Sequence, residues 1–485
     1  MISEQTEKLL DICVALSAER DREALLFQIL DTAMDLTRCD GGTLYLLEDD
    51  KLHFCRMVTR SFGIRQGGAE APITLPPVPL KPSHICARAV LEEKLMNVPD
   101  VKSDDRFDFS GAARYDAMTG YSTRSMLVIP LTNDHGKIIG VLQLINALTE
   151  EGEITAFPAE VEGLVSAIAS QAAISLTNMQ YAERVRDLLD SLVRALSTAI
   201  DERTPYNANH SRNMARYASA FLDWLETSGS DWKLDAEQRR EFLLSVWLHD
   251  VGKLTVPLEV MDKESRLGSA ILDIRQRFTT MELLSRIALL EGRISAGEAE
   301  ALQMQRNEAL TLIEKVNAAA FLPDDTLAAI DELAARTYTD LTGIEQHWIT
   351  EEEHICLSVR KGTLTAKERE VMESHVVLTA RILEQVSFPE EYARVPRWAS
   401  AHHELLNGRG YPNHITAEAL PREVRLLTIL DVFEALTATD RPYKKGMSVE
   451  KALSILHSMV EEGALDGEIL ALFEQSRAWE AAIEP

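Results

Sequence analysis

The chain has 485 residues, enough for two or three domains, and its apolar share of 46% is ordinary for a globular protein. A formal net charge of -27 argues against general affinity for nucleic acid polymers, although a small anionic ligand could bind where metal ions or basic side chains are concentrated. The 5 cysteines are scattered and indicate buried thiols in a reducing compartment. No apolar run is long enough to cross a bilayer and no signal-peptide pattern opens the chain, so a cytoplasmic protein without a membrane partner is expected.

Residues 1–157 are predicted to form an α/β domain. Two stretches of helical periodicity come first, followed by strand patterns within residues 42–57. A hairpin is predicted within residues 125–146, where two apolar strands flank the polar turn at residues 133–136. The expected fold is an antiparallel sheet with flanking helices.

Three strings, two in this domain and one in the helical segment that follows it, resemble the GAF family of sensor domains. They are residues 120–127 (GYSTRSML), residues 140–146 (GVLQLIN) and residues 172–176 (AAISL). The resemblance implies a domain that binds an unknown small ligand, and the alternative is a GAF domain that is purely structural or dimerising. The fold itself does not identify a ligand.

Residues 158–200 are predicted to form one long helix that joins two domains. Apolar residues recur at intervals of three and four, as in the seam of a coiled coil, and this pattern predicts a homodimer that pairs through the helix. The alternative is a helix that packs on its own domain. The apolar stripe consists of Val161, Leu164, Val165, Ile168, Ala172, Leu176, Met179, Val185, Leu188, Leu192, Ala195, Leu196 and Ile200.

Residues 201–485 are predicted to form an all-α domain with a helical hairpin inserted at about residues 264–350. Within the insertion, Ser295 and Glu298 have the spacing of a capping box at the start of a helix. No ligand motif is visible in the insertion, and His347 and His354 are interpreted as structural.

An ordered set of histidine and aspartate motifs lies on both sides of the insertion. Neutral imidazoles and carboxylates are ligands that first-row divalent metals prefer, and the histidine pair beside Glu404 looks like one wall of a metal site. Each motif alone is a weak signal, but the ordered set predicts a metal centre. In chain order the set is His210, His249-Asp250, His375, His402-His403-Glu404 with Gly408-Arg409-Gly410-Tyr411-Pro412, and Asp431.

These strings resemble the HD-GYP family of metal-dependent cyclic dinucleotide phosphodiesterases. The resemblance implies two divalent transition-metal ions, iron or manganese, with Asp250 bridging them. It further implies that cyclic di-GMP is the substrate and that linear pGpG or GMP is the product. By the same resemblance, His210, His249 and Asp431 complete one metal site, and His375, His402 and His403 complete the other.

Basic residues near the motifs are candidates for contacts with substrate phosphate. Lys253 lies three residues past Asp250, on the same face if the segment is helical, so these two residues are the predicted catalytic pair. By the resemblance, Arg441 and Lys444 match positions where the family binds substrate phosphate. The alternative is that these two residues belong to a solvated basic turn. Some family members carry a glutamate four residues before the first histidine and recruit a third metal there. Tyr206 occupies that position in this chain, so two metals are expected.

The predicted function is therefore a GAF-regulated phosphodiesterase for cyclic di-GMP. One rival is an HD-type phosphohydrolase that acts on another cyclic dinucleotide. The other rival is a non-catalytic sensor or scaffold that binds cyclic di-GMP. A missing ligand would favour the sensor, and the predicted ligand set is complete.

Overall fold

A computed structural model of the chain describes residues 4–19, 21–68, 71–203, 209–438 and 446–482. The chain divides into two compact units, residues 1–188 and 189–485. Helix α5 (Ala159–Asp201) is continuous across the division. In the described part of the chain, no helix combines the length and apolar character that a membrane span requires.

The first unit is built on one antiparallel sheet, as predicted. Its elements are α1 (Glu4–Ala18), α2 (Arg22–Thr37), β1 (Cys39–Glu48), β2 (Lys51–Thr59), β3 (Ile64–Gln66), β4 (Val78–Pro79), α3 (Ile85–Glu92), β5 (Met96–Val98), α4 (Ser110–Thr119), β6 (Met126–Thr132), β7 (Ile138–Leu148), β8 (Ile154–Thr155) and the first part of α5. The strand order is β3-β2-β1-β7-β6-β5, with β4 beside β2 and β8 beside β7. All of these pairs are antiparallel.

The two faces of this sheet are buried in different cores. Successive side chains of a strand point to opposite faces. Leu44 and Leu142 therefore pack with α2 and α5 on one face, while the adjacent residues Tyr45 and Val141 pack with α3 on the other. The predicted hairpin turn is present, because Asn133 N–H donates to the carbonyl oxygen of Lys137, the residue just before β7.

Partly buried hydrogen bonds fix the loop that carries the string at residues 120–127. The Tyr121 hydroxyl donates to Asp40 Oδ2 at 2.8 Å and accepts from Asn146 Nδ2 at 3.0 Å. Asn146 Oδ1 in turn accepts the Arg124 N–H at 2.7 Å. The polar residues of the GAF-like strings thus join the loop to β1 and β7.

In the residues that the structure describes, the second unit is helical apart from one short hairpin. Its elements are the last part of α5, then α6 (His210–Thr227), α7 (Ala236–Leu248), α8 (Leu258–Met261), α9 (Ala270–Leu290), α10 (Ala296–Ala318), α11 (Asp324–Ala334), β9 (Thr337–Thr339), β10 (Glu345–His347), α12 (Glu351–Leu357), α13 (Ala366–Leu383), α14 (Val395–Ala399), α15 (Arg422–Thr437), α16 (Val449–Glu461) and α17 (Gly467–Ser476). Helices α6, α7, α14, α15, α16 and α17 contribute to the main core.

The insertion between α8 and α13 has a hydrophobic core of its own. That core contains Ile274 of α9 and Ile313 of α10, together with the buried Trp348. The predicted capping box is confirmed, since Ser295 Oγ accepts the Glu298 N–H and the Glu298 carboxylate accepts the Ser295 N–H. The insertion is larger than the predicted hairpin, because α11, α12 and the β9–β10 hairpin complete its core.

The apolar stripe of α5 has different surroundings along its length. Its first half is buried in the core of the first unit, where Val165 and Ile168 are fully covered. Further along, Val193 and Ile200 pack against α7. Residues 185–196 of the stripe include an exposed apolar face. The exposed fractions of its residues are 66% for Val185, 59% for Leu188, 58% for Leu192 and 41% for Leu196.

Candidate metal centre

The structure brings the seven predicted metal ligands together in the second unit. His210 is the first residue of α6, the pair His249-Asp250 directly follows α7, and His375 lies in α13. His402 and His403 lie in a turn after α14, and Asp431 lies in α15. Six of the seven residues are buried, and His403 is partly exposed. Three of the ligands come before the insertion in sequence, and the other four come after it.

Asp250 lies between two pairs of histidines. Its Oδ2 atom is 3.2 Å from His249 Nε2 and 3.5 Å from His210 Nε2. Its Oδ1 atom is 3.5 Å from His375 Nε2 and 3.8 Å from His402 Nε2. Each oxygen of one carboxylate therefore faces its own imidazole pair, which is the arrangement that a bridging ligand requires.

Asp431 also faces both sides of the cluster. Its Oδ1 atom lies 3.4 Å from His210 Nε2, and its Oδ2 atom lies 3.7 Å from His403 Nδ1. His403 thus presents Nδ1 to the cluster, whereas the other histidines present Nε2. Among the described residues, three sets of three side chains each have their metal-ligating atoms within 4.8 Å of one another. The sets are His375 with His402 and His403, His210 with His249 and Asp431, and His249 with Asp250 and His402.

Backbone carbonyls set the protonation of three of the histidines. In His249, His375 and His402, Nδ1 contacts the carbonyl oxygen of the residue three positions earlier, at 2.7, 2.6 and 2.7 Å. A carbonyl oxygen can only accept, so Nδ1 carries the hydrogen and the Nε2 lone pair faces the cluster. This is the orientation of an imidazole that binds a metal through Nε2.

In His210, the Nδ1 atom contacts a side-chain carboxylate instead of a backbone carbonyl. Its Nδ1 atom is 2.5 Å from Glu434 Oε2, and Asn213 Nδ2 donates to Glu434 Oε1 at 3.2 Å. Glu434 is 1% exposed. A carboxylate in this position makes the opposite nitrogen a stronger electron donor. Sequence analysis did not identify Glu434, although its position three residues after Asp431 places both side chains on one side of α15.

Three imidazoles of the cluster are neutral at neutral pH. Burial lowers the pKa of His375, and burial together with the neighbouring His403 lowers the pKa of His402 well below its usual range. Burial and the nearby His375 lower the pKa of His403 to about 3. Neutral imidazole is the form that binds a metal ion.

The part of the cluster around Asp250 and His210 favours a bound cation. Burial opposes the ionisation of Asp250, but His249 and Lys253 outweigh it and hold the pKa of Asp250 well below its usual range. Burial likewise opposes a charge on His210, yet Glu434 and Asp250 raise the pKa of His210 to about 10. A cation is therefore favoured at His210 Nε2, and either a proton or a divalent metal can supply it.

The donor set fits a metal centre. Oδ1 of Asp250 is buried and has no hydrogen-bond donor among the residues that the structure describes. A buried carboxylate oxygen without a donor is costly unless a cation binds it. Imidazole and carboxylate donors together suit first-row transition metals.

Lys253 lies at the edge of this cluster. Its Nζ atom donates to Asp250 Oδ2 at 2.5 Å, and its side chain is 19% exposed. Arg441 and Lys444, the other two predicted phosphate contacts, lie outside the described residues, and so does Tyr206.

The Glu404 carboxylate binds the backbone of the loop that follows the two histidines. Its two carboxylate oxygens accept the N–H groups of Asn413 and Ile415 at 2.7 and 2.9 Å. It therefore anchors the loop that contains Tyr411, whose N–H donates to the His403 carbonyl at 3.1 Å. The Tyr411 ring lies over the His403 ring, with centroids 4.8 Å apart and an interplanar angle of 33°. Glu404 supports the wall of the site indirectly, because it holds this loop in place.

Comparisons with known proteins agree with the two units. The family model "HD domain" matches residues 352–469, and the family model "GAF domain" matches residues 21–176. The HD match includes His375, His402, His403 and Asp431 and begins after His249-Asp250.

Two curated relatives match part of the chain. A 3'3'-cGAMP-specific phosphodiesterase of Vibrio cholerae is 32% identical over 117 residues, which are 24% of this chain and 24% of that protein. A cyclic di-GMP phosphodiesterase response regulator of Xanthomonas campestris is 35% identical over 102 residues, which are 21% of this chain and 26% of that protein. The chain thus spans about a quarter of the length of these relatives.

A solved structure matches the first unit. The GAF domain of an Acinetobacter phosphoenolpyruvate-protein phosphotransferase covers 38% of this chain and 99% of its own, with 15% identity and a TM-score of 0.29.

The fold and the candidate site define a protein in which a domain built on an antiparallel sheet precedes a helical domain with a cluster of candidate metal ligands. The family matches identify these domains as a GAF domain followed by an HD domain, which confirms the sequence-based assignment and is consistent with the HD-GYP family.

Proposed function

We propose that this protein is a metal-dependent phosphodiesterase that hydrolyses cyclic di-GMP. The observation that carries the proposal is Asp250, whose two oxygens each face a histidine pair. The HD-domain match and the relatives named as cyclic di-GMP phosphodiesterases support a cyclic dinucleotide as substrate. The candidate site contains the complete predicted ligand set, which favours an enzyme over a non-catalytic sensor.

Two divalent ions, iron or manganese, are the proposed cofactors. Such a pair lowers the pKa of a bound water molecule and binds the phosphate that is attacked. Asp250 is the proposed bridging ligand. The remaining ligands are proposed to be His210, His249 and Asp431 on one side, and His375, His402 and His403 on the other.

The proposed phosphate contacts are Lys253, Arg441 and Lys444. Lys253 is supported by its place beside Asp250, where its ammonium group adds positive charge at the edge of the cluster. Arg441 and Lys444 are proposed from the sequence resemblance alone. Local positive charge is needed because the chain as a whole carries a net charge of -27.

A second candidate substrate is the mixed dinucleotide 3'3'-cGAMP. It is favoured by the relative of Vibrio cholerae that bears this specificity in its name and is 32% identical to the chain over 117 residues. The proposed metal ions would bind the phosphate and not the bases, so the same centre would serve either substrate. Base recognition would decide between them.

The test is turnover by the purified full chain after reconstitution with Mn²⁺, or with Fe²⁺ under anaerobic conditions. We expect about two metal ions per chain and hydrolysis of cyclic di-GMP to pGpG or GMP that a chelator abolishes. Cyclic di-GMP and 3'3'-cGAMP are compared side by side by their kcat/KM values. Preference for 3'3'-cGAMP would favour the second candidate, and binding of cyclic di-GMP without turnover by the loaded protein would contradict the enzymatic proposal.

We further propose that the chain forms a parallel homodimer through the exposed apolar face of α5. Val185, Leu188, Leu192 and Leu196 repeat at the three- and four-residue intervals of a coiled-coil seam. Light scattering of the full chain at micromolar concentration is expected to give twice the monomer mass. Leu188→Glu is expected to give monomers, because a charge at the seam would be buried without a partner.

The control for this prediction is Glu183→Lys, which changes a charge on the opposite side of the same helix. It is expected to leave the mass unchanged. A monomeric wild-type chain at micromolar concentration would contradict both the dimer and any regulation that depends on it.

A further inference from the structure

The end of α5 directly contacts the start of the helix that carries His210. Asp201 is the last residue of α5 and is 4% exposed. Its carboxylate accepts hydrogen bonds from Ser211 N–H at 3.1 Å and from Ser211 Oγ at 2.9 Å. Ser211 directly follows His210. Asp201 is therefore hydrogen-bonded to the residue next to a proposed metal ligand, although Asp201 and Ser211 are 10 positions apart in sequence.

The first turn of α6 depends on this contact. The first N–H groups of any helix lack partners within the helix and need an acceptor from outside. Asn209 is the residue at the N-cap position, but its side chain makes no capping hydrogen bond. The carboxylate of Asp201 supplies the acceptor from a different helix, and its negative charge lies at the positive end of the α6 dipole. The backbone of His210 is thus fixed between Asn209 and a residue anchored to α5.

A second contact joins the end of α5 to the other ligand-bearing segment. Arg203 Nη1 donates to the carbonyl oxygen of Lys253 at 2.5 Å. Lys253 lies in the 3-10 turn Val251–Thr255, which directly follows Asp250. Asp201 at the end of α5 and Arg203 just past it therefore contact the two segments that carry ligands before the insertion.

Other contacts of α5 attach it to α7 at positions further from the ligands. The Asp190 carboxylate pairs with Arg240 at 2.6 Å, eleven positions before Asp201. This ion pair anchors the same helix but touches no residue adjacent to a proposed ligand. It provides a matched comparison for Asp201.

We infer that Asp201 is a positioning residue of the metal centre, which holds His210 in place through Ser211 and so makes metal binding depend on the last turn of α5. The inference rests on the proposed function, in which His210 is a metal ligand. A displacement of that turn would move the backbone of His210 without changing any ligand. The interdomain helix would then alter the metal affinity itself, and catalysis would change as a consequence.

The test compares Asp201→Ala with Asp190→Ala in the full chain. The metal-free proteins are titrated with Mn²⁺, and binding is followed by the rise in melting temperature and by the electron paramagnetic resonance signal of unbound Mn²⁺. Asp201→Ala is expected to weaken Mn²⁺ binding by about tenfold or more, as for other residues that orient a metal ligand. Asp190→Ala is expected to stay within about twofold of the wild type, because that pair touches no residue adjacent to a proposed ligand.

A role in general helix stability would produce a different pattern. It would lower the melting temperature of both metal-free variants and leave Mn²⁺ affinity unchanged or reduced equally in both. Mn²⁺ binding by Asp201→Ala within about twofold of the wild type, or equal weakening in Asp190→Ala, would overturn the inference.

Ser211→Ala keeps the test decisive if Asp201→Ala fails to fold. It removes one of the two hydrogen bonds and is expected to weaken Mn²⁺ binding by a smaller factor, about threefold. The double variant is expected to bind no more weakly than Asp201→Ala alone, because both changes remove the same contact. Unchanged binding in Ser211→Ala, or a double variant that binds more weakly than Asp201→Ala alone, would contradict the inference. A wild-type chain that binds no Mn²⁺ would contradict the proposed function as well, whereas normal wild-type binding with an unaffected Asp201→Ala would contradict this inference alone.

Discussion

Asp250→Ala is expected to abolish the hydrolysis of cyclic di-GMP, with a loss of kcat of more than about 1,000-fold, because a metal-generated nucleophile needs both ions in place. The carboxylate is the one group of the cluster that faces both the His210–His249 pair and the His375–His402 pair. Without it, four imidazoles would face one another around a buried space with less negative charge to hold the cations. Metal content is expected to fall together with activity.

The measurement combines kcat, metal analysis and near-ultraviolet circular dichroism of the same preparation. Asp223→Ala is the control, since Asp223 is a surface residue whose side chain is 66% exposed and pairs with Arg239. That variant is expected to keep wild-type activity and metal content, because an exposed ion pair contributes at most about 1 kcal/mol to stability. Turnover at the wild-type rate in Asp250→Ala would exclude a mechanism in which this carboxylate bridges two metals.

The sheet of the first unit could be predicted because alternation is a local property of a strand. The strand expected at residues 137–146 is observed as Ile138–Leu148, and its partner expected at residues 125–131 is observed as Met126–Thr132. Periodicity could not predict what covers α5. Val165 and Val185 belong to one continuous stripe, yet the first is fully buried in the core and the second is 66% exposed. An apolar stripe predicts which face of a helix is buried, but not whether its own domain or another chain covers that face.

The candidate site could be predicted as a set of residues because histidine and aspartate motifs recur in a recognisable order. The supporting residues could not, because their roles depend on where distant elements meet. Glu434 is 224 positions from the histidine that it contacts. Asp201 reads in sequence as one more polar residue at the end of a helix, and its role appears only when Ser211 is seen beside it.

Glu404 shows the opposite case, in which closeness in sequence is misleading. It follows His402 and His403 directly, but the three residues lie in a turn and not in a strand or helix. Its side chain points to the backbone of the Tyr411 loop, where two N–H groups bind it. The Glu404 carboxylate therefore acts on the loop, although the two histidines that precede it face the cluster.

Gly252→Ala is the second variant from which a large loss is expected, although glycine supplies no chemistry. A Cβ atom at position 252 would lie 1.9 Å from the His375 carbonyl oxygen and 2.6 Å from the Thr379 backbone nitrogen. Both are backbone atoms of α13, so no side-chain rotation can relieve the overlap. The turn after Asp250 would have to move away from α13. In the native structure Thr379 joins the two segments, since its Oγ1 accepts the Gly252 N–H at 2.9 Å and donates to the His249 carbonyl at 3.0 Å.

Moving these segments apart would separate Asp250 from His375, and so would divide the two halves of the candidate metal centre. We expect Gly252→Ala to lose activity by about 100-fold or more and to lower the free energy of unfolding by about 3 kcal/mol, the upper range for an overpacked core. Gly297→Ala is the matched control, because a Cβ atom there would meet nothing within 4 Å and the residue lies in the first turn of α10. The control is expected to be neutral or slightly stabilising. Metal content, kcat and thermal unfolding of both variants test the prediction, and a Gly252→Ala protein with wild-type metal content and turnover would show that the close approach of this turn to α13 does not set the geometry of the site.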